Sequence, residues 1–212
     1  MNSLPRPSAL LVTLSLCTLG CSPQGSGESS AGTPRAAREA ARVPLGQVER
    51  EPSSGAPPQV LVVLVDDLGW ELFRSAPTPH LDAMAAQGVT FTNFWSAPKC
   101  GPTRASLLTG RFHFRIGDGE MARRHGRRSL GLNELLLPEV LGPELCAAFG
   151  KWHLSSDPEH PNHSGFAHFA GTLDNLNNQS YSSWRKIVDG EQATSRTYPT
   201  TDVTNDAIAS DA

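Results

Sequence analysis

The chain has 212 residues, a formal net charge of -3 at pH 7 and 38% hydrophobic residues. This length suits one domain with extensions, and the slightly negative charge gives no general attraction to nucleic acid or to an acidic membrane. The four cysteines, at positions 17, 21, 100 and 146, form neither a disulfide framework nor a zinc-ligand spacing. We therefore expect a globular protein without a nucleic-acid partner.

The first 21 residues have the composition of an export signal. Arg6 supplies a small positive region, and residues 9–19 form an apolar run too short to span a bilayer as a mature helix. Cys21 follows, and this order resembles a bacterial lipoprotein signal, although Thr18 and Leu19 depart from its usual pattern. Lipidation of Cys21 and simple cleavage both stay open. Either outcome places the protein in the periplasm or on the outer membrane or cell surface of a bacterium.

Residues 22–58 are rich in Ser, Gly, Pro, Ala, Arg and Glu and contain few large apolar side chains. Such a segment cannot bury enough apolar surface to offset the entropy of ordering it. We predict that it is a flexible linker and that the folded domain occupies residues 59–212.

A run of β-branched and aliphatic residues opens this domain. Residues 59–65 are almost entirely of this kind, which is typical of a strand buried on both faces in a parallel sheet. Asp66 and Asp67 follow at once, at the strand end where open α/β sheets place ligands. Adjacent carboxylates repel unless a cation neutralises them, and a hard divalent cation does this well. We interpret the pair as metal ligands; a solvated turn in which Asp67 caps a helix is the alternative.

Two shorter elements come next. Residues 78–88 predict a helix that ends at a glycine and has Leu81, Met84 and Ala85 on its apolar face. Residues 89–95 alternate between apolar and polar and predict a short strand. We predict that Met84 and the aromatic residues of this region belong to the core.

The stretch at 99–111, KCGPTRASLLTGR, predicts a loop that runs into a short helix. Pro102 suits the first helical position, and Gly110 suits the left-handed residue that ends a helix. Cys100 then lies just ahead of the helix N-terminus, where free N–H groups favour an anion, and Arg104 can aim its guanidinium at the same place. These features together suggest chemistry on an oxyanion such as sulfate or phosphate. A buried structural cysteine is the alternative.

The second half of the domain contains three further predicted elements. Residues 133–141 predict a helix, residues 145–149 predict a short buried strand with an inert cysteine, and residues 198–209 predict the start of another helix. Lys151 and His153 follow the strand, and in an extended chain they point the same way and can reach one site. An ordinary turn at the strand end is the alternative.

Several of these stretches together closely resemble the type I, formylglycine-dependent sulfatases of arylsulfatase type. Cys-x-Pro-x-Arg followed by Leu-Thr-Gly-Arg at 100–111 is similar to the family signature, and Gly-Lys-Trp-His-Leu at 150–154 is similar to the second signature. The Asp-Asp pair at 66–67 resembles the opening motif, and the runs TPHLD, QGVTFTNF and GFAHFAG stand in the family's order. One block could match by chance, but a joint chance match in the right order is improbable.

The resemblance implies an alkaline-phosphatase-like α/β sandwich with a mostly parallel central sheet, and hydrolysis of a sulfate-ester substrate. It also implies that a separate formylglycine-generating or equivalent maturation enzyme oxidises Cys100, and that the hydrated aldehyde attacks sulfur and then expels sulfate. The carboxylates at 66–67 and the modified Cys100 would bind calcium or magnesium. Arg104 would stabilise the modified residue, Lys151 would neutralise sulfate charge, and His153 would handle the proton of the hydrate.

This chain is shorter than the members of the family, which carry a second metal-ligand pair after these blocks. No convincing version of that pair occurs among its last residues. We therefore expect the N-terminal portion of a sulfatase, with a sandwich that is incomplete at its C-terminus. Two alternatives are an inactive sulfatase-like surface lipoprotein and a phosphatase or phosphodiesterase of the same superfamily, which would use Ser or Thr as its nucleophile.

Overall fold

The computed structural model describes residues 59–116, 129–176 and 179–210, together with the backbone of Ala9–Thr13. The strands within this part of the chain are β1 (Ala9–Thr13), β2 (Leu61–Val63), β3 (Cys146–Lys151), β4 (His168–Thr172), β5 (Trp184–Val188) and β6 (Glu191–Ser195). They form one sheet in the order β2-β1-β3-β4-β5-β6. The four strands from β2 to β4 pair in parallel, and β5 and β6 pair antiparallel.

The described helices are α1 (Trp70–Ser75), α2 (Pro79–Gln87), α3 (Cys100–Thr109), α4 (Leu137–Leu141), α5 (His160–His163) and α6 (Pro199–Ser210). Short 3-10 turns occur at His113–Arg115 and Pro143–Leu145. Among the residues with described positions, no helix combines the length and the apolar character needed to cross a membrane.

The core lies on both faces of β3, whose residues are all buried. Side chains alternate along a strand, so Cys146 and Ala148 belong to the cluster that includes Leu108 of α3, whereas Phe149 packs in a second cluster with Ala207 of α6. The sheet is therefore covered by helices on both faces. This layering confirms the predicted α/β class and the predicted buried strand.

Helix α6 is fastened to the sheet by an ion-pair cluster as well as by apolar contacts. The Lys186 ammonium of β5 lies 2.8 Å from a carboxylate oxygen of Asp202 and 2.5 Å from one of Asp206. All three side chains are mostly removed from solvent, where an unpaired charge would be costly. The ammonium of Lys186 thus neutralises two carboxylates on one face of α6. The helix predicted at 198–209 is confirmed as α6.

The predicted burial of residues 59–65 on both faces is wrong. The strand covers only Leu61–Val63, and the Leu61 side chain is 58% exposed. The reason is position: β2 lies at the edge of the sheet with β1 as its described neighbour. Helices α1 and α2, which follow it in the chain, contain no buried residue and so do not cover it.

The neighbouring predictions have mixed outcomes. The helix predicted at 78–88 is confirmed as α2, but residues 89–95 form no strand. The predicted core membership is wrong for Met84, Phe91, Phe94 and Trp95, which are all exposed. The sequence periodicity predicted the helix correctly but did not predict the burial of its residues. Burial requires a packing partner, and no described element packs on these side chains. The helix predicted at 133–141 is present only as the short α4.

The signal predicted at 1–21 and the linker predicted at 22–58 lie outside the described residues, apart from the backbone of β1. That backbone pairs with β2 on one side and β3 on the other. The signal and linker therefore stay predictions.

Candidate active site

The N-terminus of α3 lies beside the carboxyl ends of β2 and β3. Cys100 is the first residue of the helix, and Lys99 before it has an extended backbone. The prediction placed Cys100 just ahead of the helix and Pro102 at its first position, which is wrong by a small shift. Pro102 is the third helical residue, where a backbone N–H has no helical partner either. The helix ends as predicted at Gly110, which has a φ of 65°.

The Cys100 thiol contacts the His153 imidazole. Its Sγ lies 2.9 Å from Nδ1 of His153. This hydrogen bond is the main cause that lowers the pKa of Cys100 to about 7; burial opposes it, and the positive charge of Lys151 supports it. A thiol with this pKa is partly ionised at neutral pH and is a reactive group rather than an inert core side chain. By contrast, burial raises the pKa of Cys146, as predicted for an inert cysteine.

His153 has a special backbone conformation. Its φ is 59°, in the left-handed region that a non-glycine residue rarely adopts. The predicted extended chain from Lys151 to His153 is therefore wrong at its last residue. The His153 N–H bonds to the Leu173 carbonyl at 3.1 Å, which holds this bend against the segment after β4. Strained residues of this kind cluster at functional sites, and here the bend presents the imidazole to Cys100.

Asp66, Arg104 and Lys151 form a buried charge cluster at the same edge. The Lys151 ammonium lies 2.8 Å from Oδ2 of Asp66, and an Arg104 Nη lies 3.3 Å from the same oxygen. Arg104 is 3% exposed, and its other Nη donates to the Lys151 carbonyl at 2.6 Å. Burial lowers the Arg104 pKa and Asp66 opposes that shift. The guanidinium thus ties β3 to Asp66, whereas the sequence suggested that it would aim at the anion beside Cys100.

The sulfatase family model matches residues 58–210 of this chain. The chain belongs to the sulfatase family. Its sequence is 40% identical over 140 residues to Homo sapiens N-acetylgalactosamine-6-sulfatase and 39% identical over 131 residues to Bos taurus arylsulfatase A. These matches cover 57% and 56% of this chain but only 27% and 26% of the relatives, so the chain spans about a quarter of their length. No solved structure gives a significant match.

The sulfatase resemblance implies a calcium or magnesium ion, and the described residues meet this need only in part. Asp66 and Asp67 offer hard oxygen ligands, but calcium takes six to eight of them. No group of three or more His, Cys, Asp or Glu side chains in the described part of the chain could hold a metal. Asp66 is instead neutralised by Lys151 and Arg104. The described residues do not make a complete metal site, and metal roles for Asp66, Asp67 and Cys100 stay predictions.

Asp174 is a site residue that the sequence analysis missed. One of its carboxylate oxygens lies 3.0 Å from Nε2 of His153. It also borders an open cleft that is lined by Lys151, Tyr181 and Val203. The signal for Asp174 was its place three residues after the GFAHFAG block, because the carboxyl ends of neighbouring parallel strands meet at one edge of a sheet.

Proposed function

We propose that this sulfatase-family chain carries the nucleophile-bearing part of an arylsulfatase-like sulfuric ester hydrolase. The 2.9 Å contact between Cys100 and His153 is the observation that carries the proposal. Residue 100 is the first residue of α3 and contacts the His153 imidazole. It can act as a nucleophile once it is converted to formylglycine. That group supplies a hydrated aldehyde whose hydroxyl attacks sulfur. The alkaline-phosphatase-like sandwich and the maturation enzyme are parts of the same proposal.

The described residues have separate tasks in this proposal. His153 presents Nδ1 to the side chain of residue 100, where it can accept or return a proton. The Lys151 ammonium and the N-terminus of α3 favour an anionic group at this edge. Arg104 contributes indirectly, because it holds Asp66 and the end of β3 in place. Calcium would draw on Asp66 and Asp67 together with ligands outside the described residues, and no step is assigned to it.

We also propose that the protein is exported and that lipidation of Cys21 anchors it to a membrane. The support is the apolar run at 9–19 that precedes this cysteine. Expression in a bacterium followed by mass analysis of the N-terminal peptide tests it. A peptide that begins at a lipidated Cys21 supports the anchor, cleavage elsewhere supports simple export, and an intact N-terminus in the cytoplasm contradicts both.

Turnover of matched ester pairs tests the hydrolase. The full chain is co-expressed with a formylglycine-generating enzyme and assayed on an aryl sulfate and on the corresponding aryl phosphate. We expect conversion of Cys100, seen as a mass change in its peptide, and hydrolysis of the sulfate ester only. Cys100→Ala should abolish turnover, whereas Cys146→Ala, a matched change at the buried cysteine, should retain it.

Each other outcome has a definite meaning. Turnover that survives in Cys100→Ala would exclude Cys100 as the nucleophile. Hydrolysis of the phosphate ester alone would favour the phosphatase alternative. Absence of both conversion and turnover would favour the inactive sulfatase-like lipoprotein.

A further inference from the structure

We propose that Asp174 is a positioning residue of this site, which fixes the tautomer of His153 so that the Nδ1 lone pair faces residue 100. Its catalytic meaning rests on the proposed sulfatase function. The claim about the His153 tautomer does not rest on that function, because the tautomer of a histidine can be measured without turnover.

The two nitrogens of the His153 imidazole face different partners. Nδ1 lies 2.9 Å from Sγ of Cys100, and Nε2 lies 3.0 Å from a carboxylate oxygen of Asp174. A neutral imidazole has one N–H donor and one acceptor nitrogen, and an ionised carboxylate can only accept. In the neutral imidazole the carboxylate favours the proton on Nε2, which leaves Nδ1 as the acceptor toward a protonated thiol or a hydroxyl at residue 100. An acceptor Nδ1 is what a general base needs at that position. Toward an ionised Cys100 the imidazole donates from Nδ1 instead and carries both protons.

Asp174 is itself held in place, although its side chain is 69% exposed. Its Oδ1 accepts the Asn175 N–H at 2.7 Å, and its carbonyl accepts the Thr172 hydroxyl at 2.9 Å. The preceding backbone is joined to the histidine loop, since the Trp152 N–H donates to the Thr172 carbonyl at 2.8 Å. The two segments therefore leave the sheet side by side, and Asp174 is delivered opposite His153.

A purely local role is the alternative, because the bond to Asn175 alone could explain an aspartate at this turn. Two variants separate the roles. Asp174→Asn keeps a side-chain oxygen that can accept from both Asn175 and His153. Asp174→Ala removes that acceptor from both. Asp157→Ala is a matched control, because Asp157 is also exposed and its Oδ1 accepts a local N–H, from Glu159 at 3.1 Å, without a contact to the site.

The first measurement is 15N NMR of the full chain with labelled histidine at pH 8, in a Cys100→Ser parent whose residue 100 cannot ionise, with His153 assigned from His153→Gln. We expect the Nε2–H tautomer alone in this parent and with Asp174→Asn added, and a mixture of both tautomers with Asp174→Ala added. Asp157→Ala should leave the His153 signals unchanged. If Asp174→Ala does not fold, Asp174→Ser replaces it. A single unchanged tautomer in Asp174→Ala, or an equal change in the control, would overturn the proposal.

The second measurement uses the same Asp174 variants in the chain that retains Cys100, after maturation. We expect Asp174→Ala to lower kcat on an aryl sulfate roughly two- to five-fold, the range for a pair open to solvent, with KM little changed. Asp174→Asn should recover most of the loss. An altered tautomer with full kcat would refute the catalytic role of Asp174. An altered tautomer in a protein that hydrolyses no sulfate ester would support the positioning and contradict the proposed function instead.

Discussion

Replacement of Arg104 by methionine should destabilise the domain far more than the same change at a surface arginine. The Arg104 guanidinium is buried and donates to the Lys151 carbonyl at 2.6 Å and to Asp66 at 3.3 Å. Methionine keeps most of the aliphatic stem and its packing in the core, so the change removes the two polar contacts with little loss of volume. The experiment therefore isolates the contribution of the charge cluster.

The expected loss follows from what each partner retains. A hydrogen bond to a charged group contributes about 1.5–3 kcal/mol, and removal of one partner from a buried ion pair costs about 3–5 kcal/mol. Asp66 keeps its 2.8 Å contact with the Lys151 ammonium, so the cost of leaving a buried charge without a partner does not apply in full. We expect a loss of about 3 kcal/mol in the free energy of unfolding, which is a large part of the stability of a typical domain.

Urea denaturation followed by tryptophan fluorescence measures this loss. Trp152 and Trp184 are buried in the core and report its unfolding. Arg111→Met is the matched control, because Arg111 is half exposed and pairs with Glu134 at the surface. We expect the control to cost under about 1 kcal/mol. Equal losses in the two variants would show that the cluster around Asp66 does not hold the site together.

Three further changes have defined outcomes. Gly171→Ala should destabilise the domain by about 1–3 kcal/mol or more, since a Cβ there would lie 1.7 Å from the Gly150 carbonyl oxygen; thermal melting measures it. Stability should fall as the pH drops below the ordinary value of 6.5, because burial lowers the pKa of His160 and the unfolded chain then binds more protons; urea titrations from pH 8 to 5 measure it. Alkylation of unconverted Cys100 should increase as the pH rises through about 7, while Cys146 stays unreactive; peptide mass spectrometry separates the two.

Matched controls make these outcomes decisive. Gly69→Ala has open space around the new Cβ, so it should leave the melting temperature almost unchanged, and an equal loss would contradict the close-approach argument. His160→Gln should flatten the pH dependence, whereas His80→Gln, at an exposed position, should not. His153→Gln should move the alkylation profile of Cys100 to higher pH, and an unmoved profile would rule out the hydrogen bond as its cause.

The sequence predicted the elements whose signals are local. Strand β3 was predicted because its apolar run is complete within the element. The end of α3 was predicted because a glycine suits the left-handed residue that ends a helix, and Gly110 has that φ. Burial at 59–65 and the strand at 89–95 were mispredicted. Both depend on neighbours that the sequence pattern does not specify: β2 is an edge strand, and the aromatic residues after α2 have no described packing partner.

The same division holds for the site. Cys100, Lys151 and His153 were predicted together because family signatures mark them. Arg104 was predicted to act on residue 100, and the charge of Cys100 does act on its guanidinium. Its contact with the buried Asp66 carboxylate was not predicted, since a short helix sequence does not show that partner. Asp174 was missed because its role depends on the bend at His153, and a left-handed φ at a histidine has no sequence signal comparable to that of glycine.

Strand β1 has a consequence for the order of events in the cell. Its five residues, Ala9–Thr13, form an interior strand of the sheet between β2 and β3, yet they lie in the segment predicted to direct export. The same backbone cannot pair with β2 and β3 while it is bound by a secretion machinery. Export and completion of this sheet would therefore compete. In a chain that folds before export, the export signal would be paired in the sheet and inaccessible. In a chain that is exported and cleaved, β1 would be removed, and the edges of β2 and β3 that face it would be unpaired.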